Sequence, residues 1–241
     1  MCGRYQRRSD KQRIAEAMRI DGHVFEDPLA PDDDIRPTTM QPIVRENRDT
    51  GQRDLVLARW GFIPPWQKPG EKPPPTTFNA RSEGVEKAGM WKRAFERHRC
   101  LVPADAFFEW QKIRPRNNPK FAFTLDGTAP FAFAGLWSAW KDPANGHWLQ
   151  SFTVLTTDAN ETMQPIHTRM PVILQPKDYA RWLSRDESAQ PPLDLLRPLP
   201  EGLHCEPVEN EPGMATNPIA QKDIPTKGAD ADQPGLFGDS L

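Results

Sequence analysis

Three observations predict an α+β fold. Short apolar runs of β character succeed one another through the middle of the chain with few helical stretches between them, which differs from the strand–helix alternation of βαβ proteins. Proline makes up 27 of 241 residues, about twice the usual ~5%, so elements should be short and joined by ordered loops. Hydrophobic residues make up 37% of the chain and no internal repeat is visible, which fits one domain with a sizeable core.

Taken in order, Ser9 followed by Gln12 reads as a capping box, with Ile14 and Met18 on one apolar face of a helix over about 10–20. Residues 21–42 are rich in Pro and Asp and read as loop. Segment 54–60 alternates as a strand, and 63–75, with six prolines and Trp66, is a loop. Ser82 is placed to cap a second helix reaching about Arg97, with Val85, Ala88, Trp91 and Phe95 inward. Strand-like runs follow at 100–102, 106–110, 121–125, 131–137, 152–157 and 171–174, and Pro176 opens a helix over about 176–185. Periodicity is lost after Ile219, so the chain divides into a folded domain, 2–219, and a flexible acidic tail, 220–241.

No apolar run reaches the ~18–20 residues of a membrane span, and the first ten residues hold no apolar signal segment. Cys2, Cys100 and Cys205 form no CxxC pair, which disfavours a zinc ribbon or a disulfide scaffold. The expectation is a cytoplasmic protein without metal or organic cofactor. Net charge is −2, yet residues 201–241 carry eight acids and two bases, which leaves the body at +4. A mildly basic body permits a basic groove.

Four places can carry chemistry. Trimming of Met1 would make Cys2 the N-terminus, with an amine and a thiol on adjacent carbons. Both are partly nucleophilic near neutral pH in water, the amine titrating near ~8 and the thiol near ~8.5. Such a 1,2-aminothiol condenses with an aldehyde to a Schiff base and closes to a thiazolidine; the bland alternative is a chance cysteine at a frayed end. Glu109 lies in an apolar strand, where alternation pairs it with Phe107 on one face and sets Phe108 and Trp110 on the other. Burial would raise its pKa and suit it to acid–base work, unless it is merely a strand-edge ion pair. His167, between prolines, sits on a rigid loop and is either a proton carrier or a satisfied structural histidine; His23, His98, His147 and His204 read as surface. Asn79 and Arg81 precede a helix start, which suits phosphate or simple capping, and Arg4, Arg7, Arg8, Arg169 and Trp66 are candidates to join them on DNA.

In combination, MCGRY (1–5), RWGFIPPW (59–66), FNARSE (78–83), RCLVPADAFFEW (99–110), FAGLW (133–137), VLTTDAN (154–160) and IHTRMPVIL (166–174) occur in order. The set closely resembles the SRAP family, the SOS-response-associated peptidase-like or abasic-site processing proteins, over about residues 2–210. The resemblance implies a compact α+β domain on a curved, barrel-like β structure. It also implies a covalent thiazolidine crosslink between Cys2 and abasic sites in single-stranded DNA, which shields them during the damage response. Under it Asn79 positions the cysteine and sugar, Glu109 opens the sugar ring and can reverse the crosslink, and His167 stabilises the Schiff-base stage. Arg4, Arg81 and Arg169 match phosphate contacts, Trp66 an aromatic wedge, and Thr156 a site-lining position. Peptidase activity would be self-removal of Met1. Three departures stand out: Asp34 and Arg36 alter charge beside the site, Ala106 and Phe108 replace a usual glycine and tyrosine, and the proline-rich 67–76 loop leaves Trp66 as the wedge tryptophan.

Two rivals stay open. One is an N-terminal-nucleophile glutamine amidotransferase, whose domains also begin Met-Cys-Gly, although no glutamine-carboxylate motif is visible. The other is a non-covalent reader of single-stranded DNA. Gln233, Leu236 and Phe237 form a Gln-x-x-Leu-Phe pattern similar to sliding-clamp peptides, which would tether the chain at replication forks (nucleoid association). A monomer suits an N-terminal nucleophile that must reach DNA.

Overall fold

The computed structural model describes residues 2–71, 76–113, 118–127, 129–186 and 189–208. Strict alternation in the central strands sets the layering. In β6 (Arg99–Ala104), Cys100, Val102 and Ala104 enter one apolar cluster and Leu101 a second. In β9 (Phe131–Lys141), Phe131, Phe133 and Trp137 enter the first, and Ala132, Ala134 and Leu136 the second. The same division separates Ile43 from Val44 on β3 (Met40–Glu46), and Val56, Ala58 and Trp60 from Leu55 on β4 (Arg53–Trp60). A strand with both faces apolar must be covered on both.

β10 (Trp148–Asp158) closes the larger sheet. It pairs antiparallel with β9 from Trp148↔Lys141 to Val154↔Gly135. It also runs parallel to β4 at Ser151↔Arg59 and then to β5 (Asn79–Arg81) at Val154↔Asn79. Since β4 pairs with β3, β3 with β6 and β6 with β9, the ladder returns to β10 as a closed ring of five strands. β11 (Arg169–Pro171) extends β10, and β12 (Ile173–Leu174) extends β9. The curved, barrel-like, mixed α+β expectation is met.

A second, five-stranded sheet has the order β13 (Leu203–Pro207), β8 (Lys120–Leu125), β7 (Ala106–Trp110), β1 (Tyr5–Arg7), β2 (Asp32–Ile35). Its Tyr5, Ile35, Phe107, Phe123 and Leu203 enter the first cluster. The other cluster takes Ile14 and Met18 of α1 (Lys11–Met18), Ala94 and Phe95 of α2 (Lys92–Arg97), and Tyr179, Trp182 and Leu183 of α3 (Tyr179–Leu183). Buried Arg99 ties two of these helices together. Its guanidinium donates to the carbonyls of Phe95 (2.5 Å) and Glu96 (2.9 Å) in α2, of Trp182 (2.6 Å) in α3, and of Ser184. A cation at helix C-termini satisfies carbonyls that have no partner within the helix.

Several expectations need correction. Asp10, not Ser9, caps α1, accepting from the Arg13 amide at 2.9 Å; the Ser9 hydroxyl donates to Asp105 instead. The segment read as a loop over 21–42 contains β2 and the start of β3. Residues 82–91 form turns, and α2 starts only at Lys92, because Gly84 adopts φ +74° and breaks the helical run. Ala88 is consequently exposed, while Val85 and Phe95 are buried as expected. His98 is half-buried against Trp137 rather than on the surface. Among the described residues no helix is long and apolar enough to cross a membrane. The 219/220 boundary and Gln233, Leu236 and Phe237 lie outside the described residues.

Candidate active site

β1 delivers the N-terminal segment into the protein. Tyr5 is clamped edge-on by Trp60 and Phe133, at centroid distances of 5.1 and 5.8 Å. β1 pairs with β7 at Tyr5↔Phe107, and the Phe108 amide donates to the Arg4 carbonyl at 3.0 Å. Cys2 is thereby drawn into the first cluster at 2% exposure. Its thiol reaches the Arg4 carbonyl at 3.5 Å. Asn79, on β5, donates from Nδ2 to the Cys2 carbonyl at 2.8 Å. Its buried Oδ1 has no hydrogen-bond partner among the described residues, so one acceptor of this side chain is unused.

Glu109 is buried on β7, on the face of Phe107, as alternation predicts. Burial raises its carboxyl above the ordinary value. Burial, and after it the charge of Glu109, push the Cys2 thiol well above its ordinary value. This corrects the solution picture of a partly ionised thiol at neutral pH. The thiol is thus held in its protonated form, with the Glu109 carboxyl acting on it electrostatically.

His167 sits in a turn fixed by its own amide donating to the Met163 carbonyl at 3.0 Å. Its Nδ1 lies 2.9 Å from the Arg169 amide and 3.1 Å from the Arg169 carbonyl, so the backbone of one residue holds that edge of the ring. Burial holds its pKa below the ordinary value, against a raising hydrogen bond to the Arg169 backbone and with smaller lowering contributions from the Lys112 and Arg169 charges. Gln111 ties this loop to the end of β7, donating to the Pro165 carbonyl at 2.9 Å. Lys112 acts on both Glu109 and His167, favouring the carboxylate and disfavouring the imidazolium. Sequence reasoning missed Gln111 and Lys112; their place directly after AFFEW was the available signal.

The remaining candidates fall into three settings. Thr156 is fully buried, donating to the Ala80 carbonyl at 3.3 Å. Arg169 holds Glu83 through two bonds of 2.6 and 2.8 Å, Asp158 at 2.8 Å and the Thr156 carbonyl at 2.6 Å, so its charge is neutralised within the protein. Arg81 and Trp66 are exposed. Arg4 lies over the Trp110 ring at 5.6 Å and pairs with Asp34 at 2.5 Å, and the same carboxylate binds Arg36. Lys120 sits 3.9 Å over the Phe108 ring, where no hydroxyl competes. Among the described residues no group of three or more His, Cys, Asp or Glu is arranged to hold a metal ion.

The family model described as SOS response associated peptidase (SRAP) matches residues 1–213. The chain belongs to the SRAP family. This SRAP chain is 36% identical over 184 residues to the abasic site processing protein YoqW of Bacillus subtilis, covering 76% of this chain and 80% of that one. It is 31% identical over 188 residues to the abasic site processing protein HMCES of Xenopus tropicalis, covering 68% of this chain and 55% of the relative. A crystal structure of a Bordetella bronchiseptica protein matches the SRAP chain with a TM-score of 0.73 at 29% identity, over 87% of this chain and all (100%) of that one. A Bacteroides thetaiotaomicron protein shares the fold at TM-score 0.78 and 22% identity, over 87% and 93% of the two chains.

Proposed function

We propose that this protein processes abasic sites in single-stranded DNA by forming a covalent bond through Cys2. The observation that carries the reading is the Asn79 amide holding the Cys2 carbonyl at 2.8 Å, with the thiol within the field of a buried carboxylate. An N-terminal residue fixed in a protein interior is costly in chain entropy, which favours a role in chemistry over a frayed end.

Removal of Met1, by the chain itself on this reading, places the α-amine on Cys2. That amine attacks the C1′ aldehyde of the ring-opened sugar, and loss of one water gives an imine. The thiol then adds across the C=N bond: sulfur bonds to C1′, the thiol proton leaves through Glu109 and nitrogen regains a proton. The net reaction is condensation to a thiazolidine with one water released. Glu109, with its raised pKa, shuttles protons for ring opening and thiol attack. The Asn79 Oδ1 acceptor suits the amine or a sugar hydroxyl. The His167 ring meets the sugar oxygen through a ring nitrogen. Arg81 and Arg4 supply phosphate contacts and Trp66 stacks beside the lesion. Arg169 acts on phosphate only by exchanging its carboxylate partners.

The test is a single-stranded oligonucleotide with one abasic site, mixed with Met1-processed protein and run on a denaturing gel. A shifted band that requires both the abasic site and Cys2 is expected. Binding that is lost on denaturation and unchanged in Cys2→Ala would replace the proposal with a non-covalent reader. Release of ammonia from glutamine without a band would replace it with an amidotransferase.

A further inference from the structure

A surface pocket of about 820 Å³ is lined by none of Cys2, Asn79, Glu109 and His167. Its walls come from three separate segments: the β3–β4 turn with Arg48, α2 with Lys92, Arg93 and Arg97, and Arg185 after α3. Five cations face two carboxylates, Glu46 and Glu96, which leaves a lining charge of +3. Glu46 is already engaged, accepting from the Arg185 amide at 3.2 Å. Among the described residues the side chains of Arg48, Lys92 and Arg93 make no hydrogen bond or ion pair. The lining includes His98, set edge-on to Trp137 at 4.8 Å, and Arg45 lies over the same Trp137 ring at 4.5 Å.

Like charges gathered in a concave surface repel one another and favour an anion between them. The field is visible at His98: burial first, then Arg185, Arg93, Arg45 and Arg97, hold its pKa at about 4, so the ring stays neutral and offers a hydrogen bond without adding charge. Guanidiniums from opposite walls fit the fork geometry of phosphate oxygens. The volume is too large for one inorganic ion and suits a ligand carrying several phosphates.

We propose that the pocket between the β3–β4 turn, α2 and Arg185 is a phosphate-binding site, independent of Cys2, for anions carrying consecutive phosphate groups. Such groups come from a free polyphosphate or from a nucleic-acid strand.

The test uses the full chain and its Arg48→Gln/Arg93→Gln variant, both positions being exposed. Inorganic pyrophosphate is titrated calorimetrically, and a labelled oligothymidylate of about 20 nucleotides is titrated by anisotropy across salt. Losing two phosphate contacts makes the log–log salt slope shallower by about 1.4, so from about 50 to 200 mM salt the wild type loses about sevenfold more affinity than the variant. Weakened pyrophosphate binding supports a site for free polyphosphate. A shallower oligothymidylate slope without pyrophosphate binding supports a site that takes phosphates only from a strand. Equal affinities and equal slopes for both proteins with both probes overturn the proposal. Crosslinking to a short abasic oligonucleotide should be the same in both, which separates this result from any failure of the Cys2 chemistry.

Discussion

Replacing Asn79 tests how tightly Cys2, the proposed nucleophile, must be held. Asn79→Ala removes the 2.8 Å bond from Nδ2 and leaves the Cys2 carbonyl without that donor in a buried place. Orphaning a buried acceptor costs about 1–3 kcal/mol. Here the protein can recover much of that cost by letting the N-terminal segment leave the site. The population of correctly placed Cys2 then falls by the same free energy, and the crosslinking rate by about 5–150-fold, at about 1.4 kcal/mol per factor of ten. Asn79→Asp should be slower still above the carboxylate range, since an ionised Asp cannot donate to the carbonyl and adds a charge near Glu109. The assay is single-turnover crosslinking to an abasic oligonucleotide under saturating protein, beside anisotropy on the intact strand. Non-covalent affinity should stay within about twofold, because the buried amide is separate from the exposed cations. A crosslinking rate within threefold of wild type for folded Asn79→Ala would refute the argument that this bond positions the nucleophile.

Three more outcomes follow from particular contacts. Burial raises the Glu109 carboxyl, so the folded protein binds that proton more tightly than the unfolded chain does. Stability from this group is fully present below the unfolded value and is lost as pH rises through the raised one. Urea midpoints from about pH 4 to 8 should therefore show the Glu109→Gln midpoint minus the wild-type midpoint rising with pH, while its crosslinking falls by about 10²–10⁴; a difference that falls with pH contradicts the assigned shift. Asp34→Asn releases Arg4 and Arg36, so single-strand affinity should rise and its log–log salt slope steepen by about 0.7 for each arginine that reaches phosphate; anisotropy at several salt concentrations reads this, and an unchanged slope means neither arginine meets DNA. Gly135→Ala would place a Cβ 2.8 Å from the Cys100 Sγ and 2.9 Å from Val102 Cγ2, in the wall of the ring. Thermal unfolding should show a loss of about 1–3 kcal/mol, and a neutral result would mean that β6 and β9 can separate without cost.

The strands from 100 to 157 were legible because their apolar residues alternate or run continuously, and burial on two faces produces just that pattern. β1 and β2 were not, because their stabilisation is polar. Arg7 is fully enclosed by donating to the carbonyls of Ser9 (3.0 Å) and Ala30 (2.6 Å). The aspartates of β2 serve as acceptors, Asp33 for Gln6 at 2.8 Å and Arg8 at 2.7 Å, and Asp34 for Arg4. Hydrophobic periodicity carries no trace of such pairs. The β-strand face of Glu109 could be read from five residues. The Asn79–Cys2 bond joins positions 77 apart, and no local pattern encodes it; the family resemblance put both residues in one site before any geometry did. The tie between the His167 loop and the end of β7 was illegible for the same reason, since Gln111 donates to the Pro165 carbonyl across 54 positions.

The closed ring also sets an order in time. A chain made from its N-terminus can join β3 to β4, and later β6 to β3, but the ring stays open until β10 has been synthesised. β10 runs parallel to β4 and β5, a pairing no short hairpin can produce, so this closure spans a long stretch of chain and belongs to the slow class of folding events. Asn79 gains its place only through that pairing, and His167 follows still later. Cys2, the first of the proposed site residues to leave the ribosome, is the last to be equipped. A growing chain thus carries the proposed nucleophile without the rest of its site until most of its length exists, and ribosome-bound chains stopped before Trp148 should show only the ordinary reactivity of a terminal cysteine toward an aldehyde probe.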